Sequence, residues 1–158
     1  MAKRGLEAKF SAQFRTELKE FYGDRIFVQL FPDMMRTGKK PFDFFVIYRK
    51  EFFGFECKAV KGKTFNVKRI APHQTESLQR IEDAGGYGRF LIYFKEEKTA
   101  VIVSTEDMDY LAEMFGDSLK LDMFVEKLSQ NKIIRRVKFG GKTSWNVIRY
   151  FGEINKDD

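Results

Sequence analysis

This 158-residue sequence has one cysteine, Cys57, and one histidine, His73. A single cysteine excludes an intrachain disulfide and a cysteine-based zinc cluster. A single histidine excludes a His-rich metal site and the paired histidines of a zinc metalloprotease. The sequence therefore excludes proteins that depend on a cysteine-based or histidine-based zinc site.

The sequence also lacks an apolar run long enough to cross a membrane and lacks a signal-peptide pattern. We therefore expect a soluble intracellular protein, of phage or cellular origin. Its length, its 43% hydrophobic content and its 18 phenylalanines predict a single domain, residues 1–158, with a sizeable core. The net charge of +6 favours an anionic partner, although such a charge is also common in proteins that are merely soluble.

Hydrophobic spacing predicts an α/β domain with a mixed central sheet flanked by helices. The predicted helices are residues 5–22, 72–84, 104–115 and 121–128, and the predicted strands are 25–31, 42–48, 52–60, 90–94 and 100–103. The tail 132–150 is predicted to form a strand pair around Gly140-Gly141, and 61–70 to be a basic, irregular segment. The inward-facing side of the first helix is predicted to comprise Leu6, Phe10, Phe14, Leu18 and Phe21.

Two neighbouring runs, Phe42–Tyr48 and Phe52–Val60, are rich in aromatic and β-branched residues. They predict a hairpin with Arg49 and Lys50 as its two turn residues. Arg-Lys is not the Asn-Gly type of turn that would fix this register, and a three-residue loop would break it.

Charged residues lie inside these apolar runs. With a two-residue turn, Asp43 lies directly opposite Glu56, with Cβ atoms about 5 Å apart. Side chains alternate along a strand, so Lys58 shares this face and Cys57 points to the other. Buried carboxylates and a lysine are costly unless they are paired or bind a metal, and hard oxygen ligands suit Mg²⁺ or Mn²⁺. The alternative is that Glu56 and Lys58 form the solvated face of an edge strand.

The string Phe55–Thr64, FECKAVKGKT, followed by His73-Gln74, resembles the active-site region of RecU-type Holliday-junction resolvases of the PD-(D/E)XK nuclease superfamily. In such proteins an Asp precedes E-x-K by a similar interval, and an E-x-K-x-x-K/N-x-K-T string leads to an H-Q pair at a helix start. The resemblance covers roughly residues 42–80, with a weaker echo in the first helix. It implies a restriction-endonuclease-like core and Mg²⁺-dependent cleavage of a DNA phosphodiester, with Mn²⁺ as a substitute.

The resemblance also implies roles for individual residues. Asp43 and Glu56 would be metal-binding carboxylates, joined by the backbone carbonyl of Cys57. Lys58 would position the attacking water or neutralise charge on the phosphate. Gln74 would lie beside the metal water, so that one or two Mg²⁺ would be held at Asp43, Glu56 and Gln74.

Two further acids are candidates. Many relatives add an acidic residue from the first helix, and Glu7 is the best candidate because it lies on the same helical side as Phe10 and Phe14. Its alternative role is to favour the positive end of the helix dipole. Pro32-Asp33 literally spells the superfamily's P-D, so Asp33 is the rival of Asp43, although no register places it beside Glu56.

Basic residues close to the E-x-K in sequence can neutralise phosphates that flank the scissile bond. These predicted DNA-binding residues are Lys3, Arg4, Lys39, Lys40, Lys61, Lys63, Lys68 and Arg69. A second basic group, Arg135, Arg136, Lys138 and Lys142, is either a solvated face or a further DNA contact.

The predicted substrate is a four-way junction, resolved by two symmetric nicks in a C₂ homodimer with one site per subunit. Apolar surface on the first helix or the Phe-rich hairpin is the candidate interface. The chain departs from long RecU-type proteins because the segment between Phe31 and Asp43 is too short for their extended stalk. Three alternatives stay open: another PD-(D/E)XK nuclease acting on duplex or branched DNA, a non-catalytic DNA-binding module, and an RNA-directed protein.

Overall fold

The computed structural model describes residues 5–31, 40–139 and 141–154. The helices are α1 (Leu6–Tyr22), α2 (Pro72–Asp83), α3 (Thr105–Phe115), α4 (Leu121–Lys127) and α5 (Ile148–Ile154). The strands are β1 (Ile26–Leu30), β2 (Phe44–Tyr48), β3 (Glu51–Val60), β4 (Thr64–Asn66), β5 (Tyr87–Phe94), β6 (Thr99–Val103), β7 (Ser118–Lys120), β8 (Ile133–Phe139) and β9 (Lys142–Trp145). Short 3₁₀ segments lie at Gly23–Arg25, Val67–Arg69 and Gln130–Lys132.

Within the described ranges, seven strands form one sheet in the order β1-β2-β3-β5-β6-β8-β9. The central pair β3 and β5 is parallel, and the other pairs of this sheet are antiparallel. A parallel pair needs a crossover connection, and the segment that contains α2 supplies it. The predicted mixed sheet flanked by helices is therefore confirmed.

The two faces of the sheet carry separate apolar clusters. Buried residues of α1 and α5 pack on one face, and those of α2, α3 and α4 pack on the other. Strand β3 alternates between the two, with Phe55 and Cys57 in the α1 cluster and Glu56 and Lys58 on the opposite, α2 side. The charged pair is thus placed under α2.

The hairpin of β2 and β3 has the predicted two-residue turn. Arg49 and Lys50 have φ values of 50° and 67°, which are left-handed conformations that match the twist of a tight hairpin. Phe44 pairs with Phe55, as the predicted register requires. The turn residues were correctly placed although neither is glycine or asparagine.

Three details of the prediction are wrong. In α1, Phe21 is 42% exposed, whereas Tyr22 is buried and its ring lies 4.7 Å from that of Tyr48. The tail is a strand pair only as far as Trp145. Helix α5 follows, because the spacing of Val147, Tyr150 and Phe151 puts three large side chains on one helical side against the core.

The third wrong detail concerns the irregular segment after β3. It contains the short strand β4, which pairs with β7, a strand that the hydrophobic spacing does not reveal. Both strands have three residues, and each buries one apolar side chain, Phe65 or Leu119. Such short strands carry too little alternation to be recognised in sequence. None of the described helices is long and apolar enough to cross a membrane.

Close packing of α2 on β5 depends on Gly88. A Cβ built on this residue would lie 2.2 Å from the carbonyl oxygen of Leu78 in α2. The contact is with helix backbone, so no side-chain rotation can relieve it. Any larger residue at position 88 would move α2, which carries the candidate site residue Gln74.

We expect Gly88→Ala to destabilise the fold by roughly 2 kcal/mol or more, since overpacking forces backbone shifts. Urea unfolding measures the change in free energy. Gly62→Ala is the matched control, because a Cβ there meets nothing within 4 Å. Equal stabilities for the two variants would contradict this close contact.

Candidate active site

The site begins where β2 starts. Asp43 lies one residue before the ladder of β2 and β3, and its N–H donates to the carbonyl of Phe55 at 2.9 Å. Its own carbonyl accepts from the N–H of Phe31 at 2.8 Å. The backbone of Asp43 is therefore held between the ends of β1 and β3.

The carboxylate of Asp43 has two partners. Its Oδ2 accepts from the N–H of Cys57 at 2.7 Å, and its Oδ1 lies 3.1 Å from the Nζ of Lys40. The first contact satisfies the N–H of Cys57, which has no partner strand here because β2 ends before it. The second supplies a cation that the sequence predicted only as a DNA contact.

Glu56 is buried, with 4% of its surface exposed, in the middle of β3. Its Oε2 lies 3.6 Å from the Nζ of Lys58 and accepts from the Nε2 of Gln74 at 3.0 Å. The pKa of Glu56 is raised to about 8, first by burial and then by the charge and side-chain hydrogen bond of the neighbouring Asp43 carboxyl. Lys58 and Lys40 oppose this shift. Glu56 therefore keeps its proton near neutral pH when no metal ion is bound.

Lys58 is 7% exposed and lies on the same side of β3 as Glu56. Its ammonium reaches one carboxylate oxygen at the long distance of 3.6 Å. A buried ammonium at that distance keeps donors available for a further oxygen. The alternative of a solvated edge-strand face is wrong, because Glu56 and Lys58 are buried and β3 lies inside the sheet.

Gln74 is the third residue of α2, and its side chain is oriented by the start of that helix. Its Oε1 accepts from the N–H of Ala71, the residue that caps the helix, at 3.0 Å. This is the glutamine half of a capping box. Because the oxygen is engaged in the cap, the amide nitrogen is the atom that points at Glu56.

The backbone and the side chain of Cys57 lie in different surroundings. Its backbone N–H binds Asp43, while its side chain is fully buried in the cluster under α1. Burial raises the pKa of the thiol. The predicted use of its backbone carbonyl as a ligand stays a prediction.

Glu7 lies apart from the paired carboxyls. Its carboxylate forms an ion pair with the guanidinium of Arg69, and its side chain is 40% exposed. Among the described residues, no group of three or more His, Cys, Asp and Glu side chains is close enough to hold a metal ion. The structure brings Asp43, Glu56 and Gln74 together with Lys58 and leaves Glu7 outside this cluster.

The predicted DNA-binding residues divide into several groups. Lys61, Lys63 and Lys68 are exposed, and Lys68 lies 3.8 Å from Asp117. Lys40 and Arg69 are engaged with carboxylates. Lys3, Arg4, Lys39 and the rival acid Asp33 lie outside the described residues.

The basic residues of the tail are partly committed to α1. Arg136 donates to Glu17 at 2.7 Å, and Lys142 lies 2.7 Å from Glu20. Glu17 also accepts from the N–H of Trp145 at 2.6 Å. These pairs connect β8 and β9 to α1, a role that a charge count in the sequence cannot reveal.

The donor set fits a hard divalent cation. Burial and the neighbouring Asp43 carboxyl disfavour the ionised form of Glu56 even with two lysines nearby, as its raised pKa indicates. An added divalent charge would favour the ionised form, and Asp and Glu oxygens are ligands that Mg²⁺ prefers. Asp43 and Glu56 would hold the ion, and Gln74 lies beside them.

Comparison with known proteins agrees with this geometry. The family model described as RecU, Recombination protein U, matches residues 34–150, a range that contains Asp43, Glu56, Lys58 and Gln74 but not Glu7. This chain belongs to the RecU family.

Two relatives are each called Holliday junction resolvase RecU. The protein from Mycoplasmopsis pulmonis is 25% identical over 103 residues, which cover 65% of this chain and 61% of the relative. The protein from Ureaplasma parvum is 25% identical over 97 residues, which cover 61% of this chain and 57% of the relative. The matches therefore span less than two thirds of either relative.

Among solved structures, the chain is similar to Hjc of Archaeoglobus fulgidus, a Holliday junction resolvase from an archaeal hyperthermophile. The TM-score is 0.49 and the sequence identity is 11%, over 73% of this chain and 92% of that chain.

The raised pKa of Glu56 predicts how stability depends on pH. Between pH 4.5, the ordinary pKa of a glutamate, and about pH 8, Glu56 has lost its proton in the unfolded chain but keeps it in the folded protein. The metal-free protein should therefore lose stability as the pH rises through this window, by up to about 1.4 kcal/mol per pH unit. Urea unfolding in EDTA from pH 5 to pH 8.5 measures this loss.

Glu56→Gln is the control for this measurement, because it removes the titrating group. Its stability should change less with pH than that of the wild type. Added Mg²⁺ should stabilise the wild type most at the alkaline end. Parallel curves for the two proteins would contradict the raised pKa of Glu56.

Proposed function

We propose that this protein is a Mg²⁺-dependent DNA endonuclease that resolves four-way junctions by paired, symmetric nicks. The observation that carries the proposal is the buried Glu56, which lies beside the carboxyl of Asp43 and within reach of both Lys58 and Gln74. Family membership supports the same activity, since two relatives are named Holliday junction resolvases.

The proposed chemistry is hydrolysis of a phosphodiester. Mg²⁺, or Mn²⁺ in its place, bound by Asp43 and Glu56 would lower the pKa of the attacking water and stabilise negative charge on the phosphate. Lys58 donates hydrogen bonds to the water or to a phosphate oxygen, because its ammonium is held 3.6 Å from Glu56 rather than in a close pair. The amide of Gln74 orients Glu56 from the start of α2.

Two further ligands are proposed. The backbone carbonyl of Cys57 follows Glu56 in β3, and its residue is already fixed by the bond to Asp43. Glu7 would have to leave Arg69 before it could serve as a ligand. Apart from Arg69, which is engaged with Glu7, the basic residues predicted to bind DNA are proposed to contact phosphates, with Lys61 and Lys63 as exposed examples that follow β3 directly.

The decisive experiment compares cleavage of a labelled four-way junction, a linear duplex and single-stranded DNA in Mg²⁺ and in EDTA. Asp43→Asn and Lys58→Ala should each lower cleavage by roughly 10²-fold or more, because each removes charge at the reacting phosphate, and both should keep junction binding. Paired symmetric nicks in the junction support the proposal.

The exposed residues Asp109 and Lys95 provide matched controls, as Asp109→Asn and Lys95→Ala. Both control variants should cut like the wild type. Equal cutting of linear duplex would indicate a general nuclease of the same superfamily. Binding without cleavage under any divalent metal would refute the enzyme and favour a DNA-binding module.

We also propose a C₂ homodimer, since two symmetric nicks need two sites. The sheet face that carries Asp43 and Glu56 continues across β1 and β2 as an apolar surface that contains Phe27, Phe45 and Ile47. Phe27 is 52% exposed and Ile47 is 40% exposed, and the ring of Phe27 lies 6.0 Å from that of Phe45. An exposed aromatic surface on an edge strand favours association with a second copy.

Phe27→Glu should dissociate this dimer, because it places a charge at the centre of the proposed interface. Sedimentation velocity measures the change in mass. Tyr110→Glu is the matched control, since Tyr110 is an equally exposed aromatic residue, at 50%, on α3. A wild-type protein that sediments as a monomer, or a dimer that Phe27→Glu does not affect, would contradict this interface.

A further inference from the structure

Strand β3 extends beyond its neighbour β2. There, two side chains form the hydrogen bonds with the β3 backbone that a partner strand would otherwise form. Residues 55, 57 and 59 direct their backbone groups toward the β2 side, as the bond from the N–H of Asp43 to the carbonyl of Phe55 indicates. Past the end of β2, the N–H of Cys57 donates to Asp43, and the carbonyl of Ala59 accepts from Arg69. Lys58 lies between these two side-chain contacts.

Arg69 reaches three elements with one side chain. Its Nη1 donates to the carbonyl of Ala59 at 2.7 Å, and its Nη2 forms the ion pair with Glu7 of α1. The centre of its guanidinium also lies 5.5 Å from the ring centroid of Phe65 in β4. The planar guanidinium makes these two bonds from separate nitrogens and stacks its face on a ring, whereas a lysine has one nitrogen from which to reach both oxygens.

We propose that Arg69 is a positioning residue for Lys58, which fixes the backbone immediately after it by binding the Ala59 carbonyl, and that Glu7 acts by holding Arg69. This inference rests on the proposed cleavage reaction, in which Lys58 meets the phosphate or the water. It assigns Glu7 a contribution that does not require it to bind metal. It also distinguishes Arg69, whose guanidinium binds Ala59 and Glu7, from the exposed residues Lys61 and Lys63.

Arg69→Lys tests the proposal, because it keeps the positive charge and removes the guanidinium that binds Ala59 and Glu7 from two nitrogens. Single-turnover cleavage of the junction should slow about tenfold or more, while the Kd for the junction in EDTA and its salt dependence stay unchanged. Glu7→Gln should slow cleavage in the same way, and the double variant should be no slower than the poorer single variant. Arg80→Lys is the matched control, since Arg80 pairs with Glu76 on the exposed side of α2.

A second measurement does not depend on activity. The side-chain ¹³Cε resonance of Lys58 in the metal-free protein should shift in Arg69→Lys and in Glu7→Gln but not in Arg80→Lys. An unchanged resonance in Arg69→Lys would overturn the proposal even if no DNA substrate is cut by the wild type. Unchanged cleavage with weaker junction binding in Arg69→Lys would also overturn it, since that result identifies a phosphate contact.

Discussion

The burial of Glu56 next to Asp43 is the constraint on which the rest of the site depends. Two neighbouring carboxyls in an apolar sheet cost free energy unless cations and donors surround them. The fold supplies Lys58 from the same strand, Lys40 from the segment before β2, and the amide of Gln74 from α2. Each comes from a different part of the chain, so the site forms only when β2, β3 and α2 have packed.

The packing of α2 on the sheet therefore determines the geometry around Glu56. Gly88 lets the backbone of α2 approach β5, and this approach places the first turn of the helix over Glu56. The same turn needs Gln74 to satisfy the N–H of Ala71. One side chain therefore caps the helix and orients a carboxylate, which connects the stability of α2 with the geometry of the site.

Much of this arrangement was predictable from local sequence. Alternation in the two apolar runs, with Arg49 and Lys50 as the turn, places Asp43 and Glu56 on one face, and the ladder has that register. The position of Glu7 beside Arg69 was not predictable, because an ion pair between α1 and a 3₁₀ segment depends on tertiary packing that no periodicity reports. Helix α5 was missed for a related reason, since its few residues are helical mainly because Tyr150 and Phe151 fill the core under α1.

The positive charges that make up the net value of +6 are not equally available at the surface. In the tail, Arg136 and Lys142 are neutralised by Glu17 and Glu20 of α1, so these cations stabilise the packing of β8 and β9 on that helix. After β3, by contrast, Lys61 and Lys63 are exposed and follow directly from the strand that carries Glu56 and Lys58. A phosphate backbone approaching the paired carboxyls would meet these lysines first, and their positive potential would offset the repulsion between the phosphate and the acids. The proposed DNA would therefore meet exposed cations at the end of β3, whereas two of the four tail cations, Arg136 and Lys142, are already paired with α1.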